Sequence, residues 1–341
     1  MSSTSGQPGG QQGAAPQTGS QTGSQTGSQT GPSDWPAGWR ERLGGDMAAA
    51  VHAVGGLPAQ QALLLFLGDS AASPPVVLDA LERALVRPGR VRRGQVEGIC
   101  TLTLLQGVAC AGLLPKAVDR SDDVEAASVW RGVLRALVQA RQGAGLQGVV
   151  ACVDANQLRR ADDAKALGAR IGDMLGRVVP VFGALPPVHV LVAGVQALPG
   201  IASIAAEMPP AMLDAPVGTR AGAAVGAPEG ADSAIHGGAH SAAAVLGTLA
   251  ESLRPYRVAA MLKAAAQADK AGHDPDPAAF MAPSLLLQLQ TPASAWSMGL
   301  LETLGKTVSP VSLAGAWLCA TGARPWFLRD LLARLSGEGT R

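Results

Sequence analysis

The stretch Ala62-Leu-Leu-Leu-Phe-Leu-Gly-Asp-Ser-Ala-Ala-Ser-Pro-Pro-Val-Val-Leu78 decides how the chain is read. Leu63 to Leu67 is an apolar run of strand length, Gly68 opens a turn, and Val76 to Leu85 has the spacing of a helix. Strand, glycine turn and helix N-terminus make the frame in which backbone N–H groups cradle phosphate. The chemistry that fills such a loop is missing. In the pattern Gly-x-x-x-x-Gly-Lys-Ser/Thr the last three positions fall on Ser73, Pro74 and Pro75. There is no lysine to neutralise the outer phosphates and no hydroxyl to reach magnesium. The prolines also delete two N–H donors where an anion nest would form. The stretch predicts a retained strand, turn and helix around an abandoned phosphate site at Gly68, Ser73, Pro74 and Pro75.

Outward from this stretch, strands and helices alternate. Trp39 to Val54 predicts a short helix, and Ile99–Leu105 with Gly107–Ala111 predict two strands about a tight connection. Val124 to Arg141 is a helix with Val129, Val133, Leu134, Leu137 and Val138 on one face. Leu146–Val153 and Val188–Val195 predict strands, with an amphipathic helix, Gln157–Leu175, between them. Such alternation implies parallel βαβ units in an α/β domain, set at residues 34–208. Residues 1–33 repeat Ser-Gln-Thr-Gly from Ser20 to Gly31 and predict a disordered tail. Residues 209–240, rich in Gly, Ala and Pro, predict a flexible excursion. Residues 241–341 predict a mainly helical extension: helices at Ser241–Lys270 and Ala278–Leu304, a late strand at Leu313–Ala320, and a terminal helix at Pro325–Leu335.

Composition sets the limits. With 341 residues and 47% of them apolar, the chain can bury a sizeable core, although aromatics make up only 3%. Its 27 basic and 26 acidic residues leave a net charge of +1, which argues against nucleic acid or an anionic membrane surface as a main partner. Cys100, Cys110, Cys152 and Cys319 form no Cys-x-x-Cys pair and are predicted to be reduced, buried and free of metal. The apolar stretches Val178–Ile204 and Gly98–Pro115 are interrupted by prolines or by Gln106, Gly107 and Gly112, so no membrane span is predicted. The N-terminus lacks a secretory pattern, and a soluble, cytoplasmic protein is expected.

Four segments carry a family resemblance: Trp130-Arg-Gly-Val-Leu134 with Leu137 and Arg141; Leu146 to Val153 with Leu158; Pro187 to Val192 followed by Leu198-Pro-Gly200; and Pro310 to Gly322 followed by Phe327 to Leu332. In this order, over about residues 60–335, the chain resembles the cytoplasmic part of the IcmF/TssM family, the large inner-membrane component of type VI secretion systems. The family's membrane spans and periplasmic region have no counterpart in this sequence. The resemblance implies an α/β fold with a P-loop GTPase-like, mostly parallel sheet and a mainly helical C-terminal extension. It also sets the nucleotide motifs on particular residues. The family's magnesium-facing aspartate falls on Ala109, in Ala109-Cys-Ala-Gly-Leu-Leu114, and its guanine-reading segment on Ala193-Gly194-Val195-Gln196. Gln196 replaces the aspartate that would accept from the guanine edge. Three degenerate elements imply that no nucleotide or other cofactor is held. The expected role is a non-enzymatic structural or accessory component, a pseudo-GTPase scaffold. Its partners would be type VI membrane-complex or baseplate proteins, and any association with the inner membrane would be peripheral, through those partners.

Other constellations compete with this reading. Gly68-Asp69-Ser70 after an apolar strand has the form of a serine-esterase block, but the nearest acid–histidine pair, Asp269 with His273, has the wrong spacing. A nucleotidase with an unorthodox site is the other alternative. His236 and His240 read as residues of a solvated loop, and His189 as a packing residue in a strand. Asp119, Asp122, Asp123 and Glu125 read as a helix start, and Asp162 and Asp163 as solvated helix charges. Arg90, Arg92 and Arg93 predict a basic turn. Trp296, Trp317 and Trp326 read either as core packing or as an interface anchor for a partner.

Overall fold

The leucine run is a strand because nothing in it tolerates water: all five residues of β1 (Leu63–Leu67) are buried. A computed structural model describes residues 35–36, 38–85, 91–120, 123–220, 231–271, 277–308, 311 and 313–337; the predicted tail at 1–33 lies outside the described residues. Helix α1 (Trp39–Ala53) precedes β1 and α2 (Pro74–Ala84) follows it. A meander comes next, β2 (Arg92–Val96), β3 (Cys100–Leu105) and β4 (Val108–Leu113), leading to α3 (Lys116–Asp119) and α4 (Val124–Ala140). Then come β5 (Gly148–Asp154), α5 (Ala161–Gly176), α6 (Val179–Phe182), β6 (Val188–Ala193), α7 (Ile201–Ala205), α8 (Pro210–Asp214) and β7 (Gly218–Arg220). The chain continues through α9 (Ala231–Leu253), α10 (Arg257–Ala271), α11 (Ala278–Gln288), α12 (Gln290–Leu304), β8 (Leu313–Leu318) and α13 (Leu331–Leu335).

All eight strands join one sheet in the order β2-β3-β4-β1-β5-β6-β8-β7. The five central strands β4, β1, β5, β6 and β8 run parallel, and the β2–β3, β3–β4 and β7–β8 pairs are antiparallel. This is the α/β, mostly parallel, P-loop GTPase-like architecture expected. Alternate residues of β1 serve opposite faces. Leu63, Leu65 and Leu67 pack into the larger core with Met47 of α1, Trp130 of α4, Ile171 of α5, Leu246 of α9 and Leu300 of α12. Leu64 and Phe66 face a smaller core built by Val77 and Leu81 of α2 and Leu331 and Leu332 of α13.

The structure departs from the sequence reading in several places. The basic turn is an edge strand, β2, in which Gly94 and Val96 are buried while Arg92 and Arg93 stay exposed. Arg93 pairs with Asp79 and Glu82 of α2, and Arg90 lies outside the described residues. Of the stretch 209–240, read as a flexible excursion, residues 221–230 lie outside the described residues, and the rest holds α8, β7 and the first turns of α9. Those turns include His236 and His240, so these histidines stand on a helix and not in a loop. The terminal helix shrinks to α13, because Phe327 takes a left-handed φ of 65° and Trp326 bridges back to Ala320. Lastly, Trp296 and Trp317 are 1% exposed, which removes both as interface anchors. In an aromatic-poor chain these two large side chains fill volume that Ala and Val cannot. Trp326 is half-buried and stacks edge-on against Phe327.

The helical C-terminal part joins the same sheet, since β8 lies between β6 and β7. It also presses against α5 through a glycine stripe that the sequence reading did not single out. Gly168, Gly172 and Gly176 recur every four residues on one face of α5. A Cβ at Gly168 would overlap the carbonyl oxygen of Trp296, and one at Gly172 would lie 2.6 Å from the Leu300 carbonyl oxygen. In return, a Cβ at Gly299 of α12 would overlap the Lys165 carbonyl oxygen. The two helices meet backbone to backbone.

The four cysteines are free and buried, as the sequence predicts. Burial pushes the Cys100 and Cys319 thiols up to about 12 and raises Cys110 and Cys152 as well. A thiol reagent at pH 8 is therefore expected to leave the native protein unmodified and to titrate all four cysteines after denaturation. Fast labelling of folded protein would contradict this. Above the ordinary thiol pKa of about 8.5 the unfolded chain loses protons that the folded chain keeps, so stability falls as pH rises through that window.

Candidate functional site

In sheets of this kind ligands sit beyond the carboxyl ends of the strands, where the strand order reverses. Here that point is the crevice between β1, which pairs with β4 on its other side, and β5. The turn after β1 and the single 3₁₀ turn Ala155–Gln157 after β5 face each other across it. Asp69 bridges the two. Only 4% exposed, its carboxylate accepts the N–H groups of Ala71 at 3.1 Å and Ala72 at 3.0 Å through Oδ1. Through Oδ2 it accepts the amide Nε2 of Gln157 at 2.5 Å. The chain's own anion thus holds the backbone donors that a phosphate loop would offer to a ligand.

The loop is closed from both ends. A Cβ at Gly68 would overlap the Ala72 carbonyl oxygen, so the turn folds back onto its own first residue. At the start of α2, Pro74 and Pro75 carry no N–H, and the N–H groups of Val76 and Val77 both bond to the Ser73 carbonyl, at 3.0 and 3.2 Å. The N–H of Ser70 points to Asp119 Oδ1 at 3.4 Å. Burial raises the pKa of Asp154 at the end of β5, the Asn156 N–H opposes that rise, and the charge of Asp69 adds to it. A polyphosphate brought here would meet like charges at close range.

The positions assigned to base recognition are also occupied internally. Gly194 has φ +75°, and a Cβ there would overlap the Asp154 carboxylate. Gln196 accepts the Thr321 N–H at 3.0 Å through Oε1 and donates to Thr321 Oγ1 at 3.3 Å through Nε2. From the other side, Arg83 of α2 donates to the carbonyls of Thr321, Gly322 and Ala323. Gln196 is a clamp on the turn that follows β8.

Ala109 needs a correction. It pairs with Leu63 at the amino end of β1, and the Phe66–Gly112 pairing puts Leu114 level with Gly68. The residue facing the loop is thus Leu114, five positions beyond Ala109. A run of Ala, Cys and Gly offers no anchor by which to fix such a register from sequence. Leu114 also carries no carboxylate, so no metal-facing acid stands at this level of β4.

The remaining sequence candidates that lie among the described residues are spread over separate elements. His189 is 5% exposed and its Nδ1 lies 3.5 Å from the Trp317 indole Nε1, two strands away from β1. His273 and Asp122 lie outside the described residues. Asp123 caps α4, accepting the Glu125 N–H at 2.8 Å and pairing with Arg120. Asp162 and Asp163 are exposed in the first turn of α5, where Asp163 pairs with Arg160. Among the described residues no group of three or more His, Cys, Asp or Glu side chains could hold a metal ion. No described helix is long and apolar enough to cross a membrane.

Fold and loop together define an α/β protein of the P-loop GTPase-like kind whose switch-point crevice is bridged by its own side chains. Residues 123–315, more than half of the chain, match the model of the IcmF-related N-terminal domain. The chain belongs to the IcmF-related family, which associates it with type VI secretion and points to secretion-system proteins as partners in general. The matched segment runs from the cap of α4 into β8 and holds the motifs at Trp130, Leu146–Val153 and Pro187–Val192. The Gly68 loop precedes it. No curated protein matches the chain, and no solved structure does.

Proposed function

We propose that this chain is a non-enzymatic component of a type VI secretion system, a pseudo-GTPase scaffold that contacts membrane-complex or baseplate proteins from the cytoplasmic side. The observation that carries the proposal is the Asp69 carboxylate bonded to the loop N–H groups of Ala71 and Ala72. Support comes also from the prolines at the start of α2 and from Gln196, whose amide is engaged by Thr321. A loop that already holds an anion, with proline in place of the lysine at 74 and of the magnesium-reaching hydroxyl at 75, has little to offer a nucleotide. Calorimetric titration with GTP and with ATP, each with magnesium, is expected to give no binding heat. Micromolar affinity for either nucleotide would sink the proposal.

A further inference from the structure

The surface of α4 away from the sheet carries a feature that the loop does not explain. Arg131 and Arg135 of α4, together with Arg177 at the end of α5, line a groove of about 550 Å³ whose apolar wall is Val138, Pro180 and Val181. Arg131 and Arg135 lie one turn apart on an exposed helix face, an arrangement that like-charge repulsion disfavours in isolation. Arg177 pairs with Asp173. Among the described residues Arg131 donates to the Ala127 carbonyl of its own helix, and neither Arg131 nor Arg135 forms an ion pair with an acidic side chain. The walls are fixed: Trp130, buried beside Arg131, donates its indole N–H to the Met174 carbonyl at 2.9 Å and so ties α4 to α5. With a net charge of +1 on the whole chain, this positive groove is a local device and not part of a general field.

We propose that this groove binds an acidic, amphipathic segment of a partner protein. Four residues of helix separate the Cα atoms of the two arginines by about 6 Å along the axis. Carboxylates one turn apart on a helix, or two residues apart on a strand, match that spacing. Arginine favours such carboxylates because its planar fork donates two parallel hydrogen bonds. The apolar wall takes a side chain between them, as in protein interfaces with a dry centre and a charged rim. A nucleic acid is disfavoured, because its binding draws on a longer run of phosphate contacts than three arginines can supply. The inference rests on the scaffold reading only in taking the partner to be a protein; the nucleotide titration tests that reading separately, so the two can fail independently.

The test is fluorescence anisotropy with a labelled synthetic peptide carrying glutamates at i and i+4 among leucines, its glutamine counterpart, and a single-stranded oligonucleotide. Wild-type protein should bind the glutamate peptide, more weakly as salt rises. The double variant Arg131→Glu/Arg135→Glu should lose at least about tenfold in affinity with an unchanged melting curve. The equal charge change Arg159→Glu/Arg170→Glu, outside the groove, should leave binding within about twofold. If the first variant melts early, Arg131→Gln/Arg135→Gln replaces it and should show the same loss. Equal binding of the glutamine peptide, an equal loss in the two charge variants, tighter binding of the oligonucleotide, or no peptide binding would each overturn the proposal.

Discussion

Gly168→Ala is expected to destabilise the protein by about 3 kcal/mol, at the upper end of what an added methyl does to a packed interior. The new Cβ would overlap the Trp296 carbonyl oxygen, which is main chain and cannot rotate away. Trp296 is itself buried, and Gly299 pins α12 against Lys165 only one turn further on. Neither helix can yield without parting from the other. Gly44→Ala makes the opposite prediction from the same chemistry. Gly44 lies within α1 with nothing within 4 Å of a built Cβ, so alanine should stabilise by up to about 1 kcal/mol through helix propensity alone. Urea titrations of the two variants, read at the midpoint with unchanged slope, compare them directly. Equal stabilities for Gly168→Ala and wild type would mean that α5 and α12 do not touch through their backbones.

Arg141→Ala should lose a similar amount, about 3 kcal/mol, for an electrostatic reason. Arg141 is fully buried, and its guanidinium donates to three carbonyls: Gln61 at 2.9 Å, Ala59 at 3.2 Å and Ala144 at 3.3 Å. Burial pushes its pKa down, yet arginine starts so high that the charge survives. Truncation strands three acceptors in the interior and frees the segment that leads into β1. Arg141→Lys should recover only part of the loss, because one ammonium cannot span carbonyls from two separate loops. Hydrogen exchange provides the local readout. The Leu63 amide, bonded to Gln147 Oε1 at 2.7 Å, should lose protection in Arg141→Ala before the centre of the sheet does. Uniform loss across the sheet would place the defect elsewhere.

These predictions show what sequence could and could not convey. The runs at Leu63, Gly148 and Val188 were legible as strands because both faces of a parallel sheet are buried, and continuous β-branched and leucine segments leave no other choice. Helix α4 was legible from its single apolar stripe, and the family from motifs on α4, β5 and β6. β2 was not, because an edge strand buries only Gly94 and Val96 and shows two arginines to solvent. The absence of two backbone N–H donors after the turn was readable at Pro74 and Pro75. The internal partner of the loop was not, since Asp69 gains its meaning from Gln157, 88 residues away. The register error at Ala109 has the same origin: only the pairing with Leu63 fixes which residue reaches the loop. The glycines of α5 were passed over, because their spacing alone does not say that a second helix approaches them.

Asp69 is attached to the loop that it fills, and that covalent link has a consequence of its own. A diffusing anion occupies a site only as far as its concentration allows, whereas a tethered one is present at all times and leaves no vacancy to be refilled. On the reading proposed above, the turn after β1 would keep the same partner whatever the supply of nucleotide in the surroundings. It would then act as a fixed strut, and any change in it would come from a contact made elsewhere on the molecule.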